Sequence, residues 1–296
     1  MRSVTLPKKD VYLSPIPLLF TGCNGISLVA DHYGSATGTP VLLLHGGGQT
    51  RHSWLGTAQR LAQAGYRVIS VDARGHGDSA WADDGDYSAD TMVGDLRCII
   101  EQLDAAPILV GASMGGLTSM VAVGEGHTPS ALALVLVDIA PRTEVSGVAR
   151  IITFMSANPQ GFATLEEVRD AIAAYNPNRP PPKDTSGLKK NLRLGDDGRY
   201  RWHWDPRFLD YAPTKNQGET LTSIERRLAA AAKVQIPTLL VRGANSDVVS
   251  HEGAQELKAL IPHAQIVDIS GAGHMIAGDR NDVFAETILS FIRDNL

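Results

Sequence analysis

The chain has 296 residues, 43% of them hydrophobic and 20% charged, with a formal net charge of −5. A chain this long buries enough apolar surface to fold without disulfides or a structural metal, and its mild acidity argues against the basic stripe of a general nucleic-acid binder. The two cysteines, Cys23 and Cys98, make no C-x-x-C pair and read as small apolar side chains.

At the N-terminus, Pro15 and Pro17 interrupt the one apolar stretch, so no signal peptide is expected. No apolar run approaches the ~20 residues of a membrane helix, and a cytoplasmic protein without a membrane partner is the expectation. "PLLF" and "ISLVADHYG", before residue 35, read as an antiparallel leading edge. "VLLLH" (41–45) is a buried strand, followed by a helix over 51–65 that stops at Gly65. Strand 67–72 comes next, then helix 88–103 with Ser88 as its N-cap. Strand 107–112, helix 114–126 and strand 131–138 continue the rhythm. It resumes with strand 237–243, helix 251–261, strand 264–270 and helix 280–295. Near-continuous Val, Ile and Leu strands alternating with helices predict an α/β fold whose mostly parallel sheet is covered on both faces.

Residues 141–234 break the pattern. A bare loop of that length is out of place in a compact domain, so the segment reads as a mostly helical cap inserted after the sixth strand. The core is then expected at 1–140 and 235–296.

"ILVGASMGGL" (108–117) places one hydroxyl, Ser113, between glycines where a strand turns into a helix. Gly111-Ala112-Ser113-Met114-Gly115 has the spacing of a nucleophile elbow, which lifts the serine clear of the sheet. A serine needs a base, and the base needs an orienting carboxylate. His274, in the Gly-rich loop after the last strand, is the expected base. Asp247, after the next-to-last strand, is the expected acid, with Asp138 at the end of "LVLVD" as the alternative. Asp268 lies inside a strand and reads as structural, while His45 and His76 read as turn formers.

Attack on a carbonyl creates an oxyanion that calls for fixed N–H donors. "HGGG" (45–48) supplies Gly47, and the helix start supplies Met114. "HGGG" lacks the Gly-Lys-Ser/Thr of a phosphate loop, and Arg51 stands where a dinucleotide fingerprint needs its third glycine. No cofactor and no metal site are expected. Gly48, Phe154, His203, Trp204 and Met275 are the expected pocket residues, with Met155 and Trp202 beside them.

The motifs "LLLHGGG", "VDARGHGDS", "GASMGG", "RGANSD" and "GAGHM", in this order, resemble those of α/β-hydrolase-fold serine hydrolases. "RWHWDPRF" and "GHMIAGDRND" are similar to segments of bacterial capped esterases often labelled epoxide hydrolase or haloperoxidase-like. The resemblance implies an eight-stranded sheet, a cap over the pocket, and a triad on Ser113, Asp247 and His274. Epoxide hydrolases of this fold carry aspartate at the elbow, where this chain has Ser113. Hydrolysis of a small or medium carboxylic ester is the leading expectation. The same triad also serves carbon–carbon bond, lactone, amide or perhydrolytic chemistry. A non-catalytic ligand-binding scaffold is the alternative of another class.

Overall fold

The Val-, Ile- and Leu-rich runs form one sheet in a computed structural model that describes residues 14–126, 131–177, 184–211, 223–274 and 281–296. β1 (Ile16–Thr21) and β2 (Ser27–Gly34) form the antiparallel edge. β3 (Pro40–Leu44), β4 (Arg67–Val71), β5 (Ile108–Ala112) and β6 (Ala133–Val137) follow. A separate hairpin holds β7 (Leu192–Leu194) and β8 (Tyr200–Trp202). β9 (Thr238–Gly243) and β10 (Gln265–Ile269) complete the main sheet. The order across it is β1-β2-β4-β3-β5-β6-β9-β10, and all pairs from β4 to β10 are parallel. This is the expected eight-stranded, mostly parallel sheet.

Alternation along each strand divides the core into two halves. Leu42, Leu109, Leu134, Leu136 and Leu240 face one side, against α2 (Ala89–Glu101), α3 (Met114–Gly124) and α7 (His251–Leu260). Val41, Leu43, Ile108, Val110, Val135 and Val241 face the other. There they meet α1 (Leu55–Gln63) and the last helix, α8 (Asn281–Asn295). Ser88 caps α2 as expected, its hydroxyl accepting from the Thr91 N–H. Among the described residues, no helix is long and apolar enough to cross a membrane.

The inserted segment begins with α4 (Val145–Ser156) and α5 (Leu165–Tyr175). It is not helical throughout, because β7 and β8 pair through a turn in which Gly198 has φ +74°. The segment expected to be cap also contains α6 (Ile224–Ala231), which joins the core layer instead. Ala230, Ala231 and Val234 are buried in the first half-core. The helix comes so close to α3 that a methyl group on Gly124 would sit 2.1 Å from the Ala230 carbonyl oxygen. Arg226 of α6 fastens the contact by bonding Glu125 at 2.7 and 2.8 Å.

The same close approach governs the elbow. A methyl group on Gly111 would lie 2.5 Å from the Gly115 backbone, and one on Gly115 would lie 2.4 Å from the Leu44 carbonyl oxygen. The glycines therefore let α3 start directly above β5 and β3. Gly115→Ala forces backbone apart, and overpacking of this kind costs about 1–3 kcal/mol. A lowered urea midpoint for this variant is the expected result; an unchanged midpoint contradicts the contact.

Candidate active site

Ser113 and Asp138 occupy equivalent places at the ends of neighbouring strands, since Ala112 pairs in register with Val137. Ser113 has φ 47° and ψ −115°, and Asp138 also has φ 47°. Positive φ is uncommon for residues with a Cβ, and two such residues side by side mark stored backbone strain. Hydrogen bonds hold both: the Ser113 N–H donates to Val137 O at 3.2 Å and the Asp138 N–H to Val241 O at 2.8 Å. The strand-to-helix turn expected at Ser113 is thus present, and the helix begins at Met114.

His274 follows β10 and donates from Nδ1 to Asp138 Oδ2 at 2.7 Å. Asp138 is fully buried, and His274 nearly so. The other acceptor positions of the carboxylate are also used. Its Oδ1 takes the Gly243 N–H at 2.9 Å, and its Oδ2 takes the Ser246 hydroxyl. A buried carboxylate satisfied this way fixes the ring that it holds. With its proton on Nδ1, the imidazole presents Nε2 as a proton acceptor.

The expected acid, Asp247, makes no such contact. Its carboxylate pairs with Arg150 of α4 at 2.8 Å and is 39% exposed. The reason is the local turn. Ser246 accepts the N–H groups of Val248 and Val249 at 3.1 Å each while it donates to Asp138. That arrangement turns Ser246 inward and Asp247 outward. The structure therefore corrects the sequence reading: Asp138, the alternative, is the carboxylate on His274. Asp268 bonds Arg242 on the adjacent strand at 2.8 Å, consistent with a structural role.

The glycine loop is a β-turn closed by the Gln49 N–H on Gly46 O at 3.1 Å. Gly48 has φ +72°, as the third residue of a type II turn requires. Three histidine rings hold its three peptide units. His45 Nε2 accepts the Ala73 N–H at 3.0 Å, so its Nδ1 donates to Gly46 O at 2.8 Å. His76 Nε2 accepts the Gly48 N–H at 3.1 Å, and its Nδ1 donates to Arg74 O at 3.0 Å. His203 Nδ1 accepts the Gly77 N–H at 2.7 Å, so its Nε2 donates to Gly48 O at 3.3 Å. Because a trans peptide points C=O and N–H in opposite directions, anchoring Gly46 O fixes the direction of the Gly47 N–H. Among the described residues, neither the Gly47 N–H nor the N–H of Met114 at the helix start has an acceptor.

The turn lies under the inserted segment. Met155 and Phe208 approach Gly47, where an added methyl group would lie 3.6 Å from the Phe208 ring and 3.9 Å from Met155 Sδ. At Gly48 such a group would meet Met155 at 3.1 Å. Met114, Met155, Trp204 and Phe208 share one buried apolar cluster. Phe154, the expected pocket residue, packs against that cluster and stacks on Tyr175 at 4.3 Å. Its neighbour Met155 takes the place over the turn. Phe208 was not anticipated; the signal for it was an aromatic residue within the same "RWHWDPRF" stretch. His203 is a structural tie with both ring nitrogens engaged, and so it is not a free pocket group. Met275 lies outside the described residues.

Against known proteins, residues 39–280 match the model of the alpha/beta hydrolase fold family. The chain belongs to this family. It is 29% identical to the esterase Rv0045c of Mycobacterium tuberculosis over 84% of this chain and 80% of the relative. It is also 29% identical to the sn-1-specific diacylglycerol lipase ABHD11 of Mus musculus, over 96% of this chain and 88% of the relative. Among solved structures, E-2-(acetamidomethylene)succinate hydrolase superimposes with a TM-score of 0.81 over 95% of this chain and 100% of the other, at 23% identity. That last likeness concerns the fold.

In this alpha/beta hydrolase the three turn-holding rings are neutral. Burial pushes His45 down to about 4, opposed by its bond to Gly46 and aided by the Arg51 charge. Burial, with the neighbouring His45 ring, pushes His76 down to about 3. Burial, with both of those rings, pushes His203 down to about 2. An unfolded chain protonates its histidines near pH 6.5, whereas the folded chain refuses those protons until far lower pH. The native state therefore loses stability as pH falls below about 6.5, at up to about 1.4 kcal/mol per pH unit for each ring. His32 and His52, also lowered by burial, act in the same direction. Carboxylates held low by arginine partners, such as Asp268, add losses only below about pH 4. Urea midpoints should fall steeply between pH 7.5 and 5; equal midpoints at these two values would contradict neutral, clamped rings.

Proposed function

We propose that the protein hydrolyses a carboxylic ester through an acyl intermediate on Ser113. In this reading His274 is the general base and acid, Asp138 orients it, and the N–H groups of Gly47 and Met114 bind the oxyanion. The observation that carries the proposal is the Asp138–His274 hydrogen bond, 2.7 Å long, beside a serine held at φ 47° on a strand-to-helix turn. The esterase and lipase names of the two relatives support ester cleavage over other uses of the same groups.

Each step follows from the chemistry of these groups. His274 Nε2 takes the Ser113 proton as Oγ attacks the carbonyl carbon. The imidazolium that forms is stabilised by the buried Asp138 carboxylate. Negative charge develops on the former carbonyl oxygen, and two fixed N–H dipoles meet it without reorganisation. The imidazolium then protonates the departing alkoxide. Water repeats the sequence on the acyl-serine and releases the acid. Met155 and Phe208, close above the oxyanion turn, favour a small or medium acyl group.

Ser113→Ala should abolish turnover of p-nitrophenyl butyrate with the urea midpoint preserved. Asp138→Asn, which retains the shape of the acid, should lower kcat by a factor of about 10³ or more. Asp247→Asn should stay within about threefold of wild type, since an exposed ion pair contributes little. Full activity in Asp138→Asn, or its loss in Asp247→Asn alone, would reverse the assignment of the acid. A parallel panel of lactones and amides reads which acyl leaving group the site prefers.

A further inference from the structure

The oxyanion turn is assembled by core and insertion together. His45 and His76 belong to the core loops, but His203 comes from the segment after β8. Its Nδ1 takes the Gly77 N–H, an obligate donor, so the ring proton must sit on Nε2, facing Gly48 O. The Gly48 carbonyl shares a peptide plane with the Gln49 N–H, the group that closes the turn on Gly46 O. Gly46 O in turn sets the direction of the Gly47 N–H. The tie is well anchored. The Asp205 N–H donates to Gly75 O at 2.8 Å, and the Tyr87 hydroxyl donates to Asp205 at 2.6 Å. Arg207 bonds Ala82 O at 2.8 Å, and Arg193 bonds Gly77 O at 2.9 Å.

We propose that His203 is a positioning residue for the oxyanion site, so that the two N–H donors are fully aligned only while this stretch of the insertion is seated on the core loops. The inference rests on the ester-hydrolase reading above. His203 touches neither substrate nor reacting atoms in it; it acts through the peptide planes of Gly48 and Gly46. The loss is therefore felt where charge develops on the carbonyl oxygen and not where the acyl chain binds.

The test compares wild type with His203→Leu and His203→Gln. Leucine fills the space without donating or accepting. Glutamine can accept from Gly77 and donate to Gly48. For p-nitrophenyl butyrate, His203→Leu should lose roughly 10- to 100-fold in kcat, with KM little changed, as expected for misplaced catalytic donors. Its affinity for butaneboronic acid, which forms a tetrahedral adduct on serine, should fall by the same factor. Inhibition by N-methylbutyramide, a planar ground-state ligand, should be unchanged. His203→Gln should recover most of the loss. If the leucine variant does not fold, His203→Asn replaces it, being too short to span both partners. Equal losses for boronate and amide, or a lowered urea midpoint with unaltered kcat, would overturn the inference and leave the esterase reading intact. Wild-type protein inert to both ester and boronate would remove the esterase reading itself, and this inference with it.

Discussion

Asp138 is a carboxylate with no exposure to water, and the site is arranged around the need to satisfy it. Burying an ionised group without partners is costly enough that the group would neutralise instead. Three donors from two stretches satisfy Asp138: Gly243 at the end of β9 and Ser246 just after it, and His274 after β10. The carboxylate thereby pulls two loops and a ring onto the end of β6. Parallel strands in register make this possible, because their C-terminal ends finish at one level and their connections emerge together.

Much of this was legible in the sequence because burial writes a simple pattern. Strands flanked by helices on both faces read as unbroken Val, Ile and Leu runs, and all the core strands from residue 41 onward were placed to within two residues at each end. The Gly-Ala-Ser-Met-Gly elbow was legible because close backbone approach leaves glycine alone able to fit. His274, singled out by its loop and chain order, is the ring that meets Asp138. The choice between Asp138 and Asp247 was not legible, since both follow parallel strands. It depends on which way a four-residue turn faces, and that is decided by the Ser246 hydroxyl capturing two backbone N–H groups. One hint was available: Asp138 ends a wholly apolar run, where a charge must have partners, whereas Asp247 is preceded by the polar Asn245 and Ser246.

The inserted segment was the least legible part. His203, flanked by tryptophans, resembles a pocket residue in composition, yet its partners are backbone groups 126 and 155 positions away in the chain. No local pattern encodes such a contact. The hairpin of β7 and β8 did leave a trace, an Asp197-Gly198 turn between alternating residues, of the kind that favours tight reversals. Helix α6 was hidden for a different reason. Its membership in the core depends on the absence of a side chain at Gly124, on another helix.

The clamped turn has a consequence for how the molecule responds to its solvent. All three rings that hold it are uncharged, so their hydrogen bonds carry no net ionic attraction for dissolved ions to screen. The Arg150–Asp247 pair at the edge of the insertion is of the opposite kind, half exposed and fully ionic. Raising ionic strength shortens the reach of such a pair to a few ångströms and leaves the neutral turn as it was. Brine therefore loosens the rim of the site before it disturbs the centre.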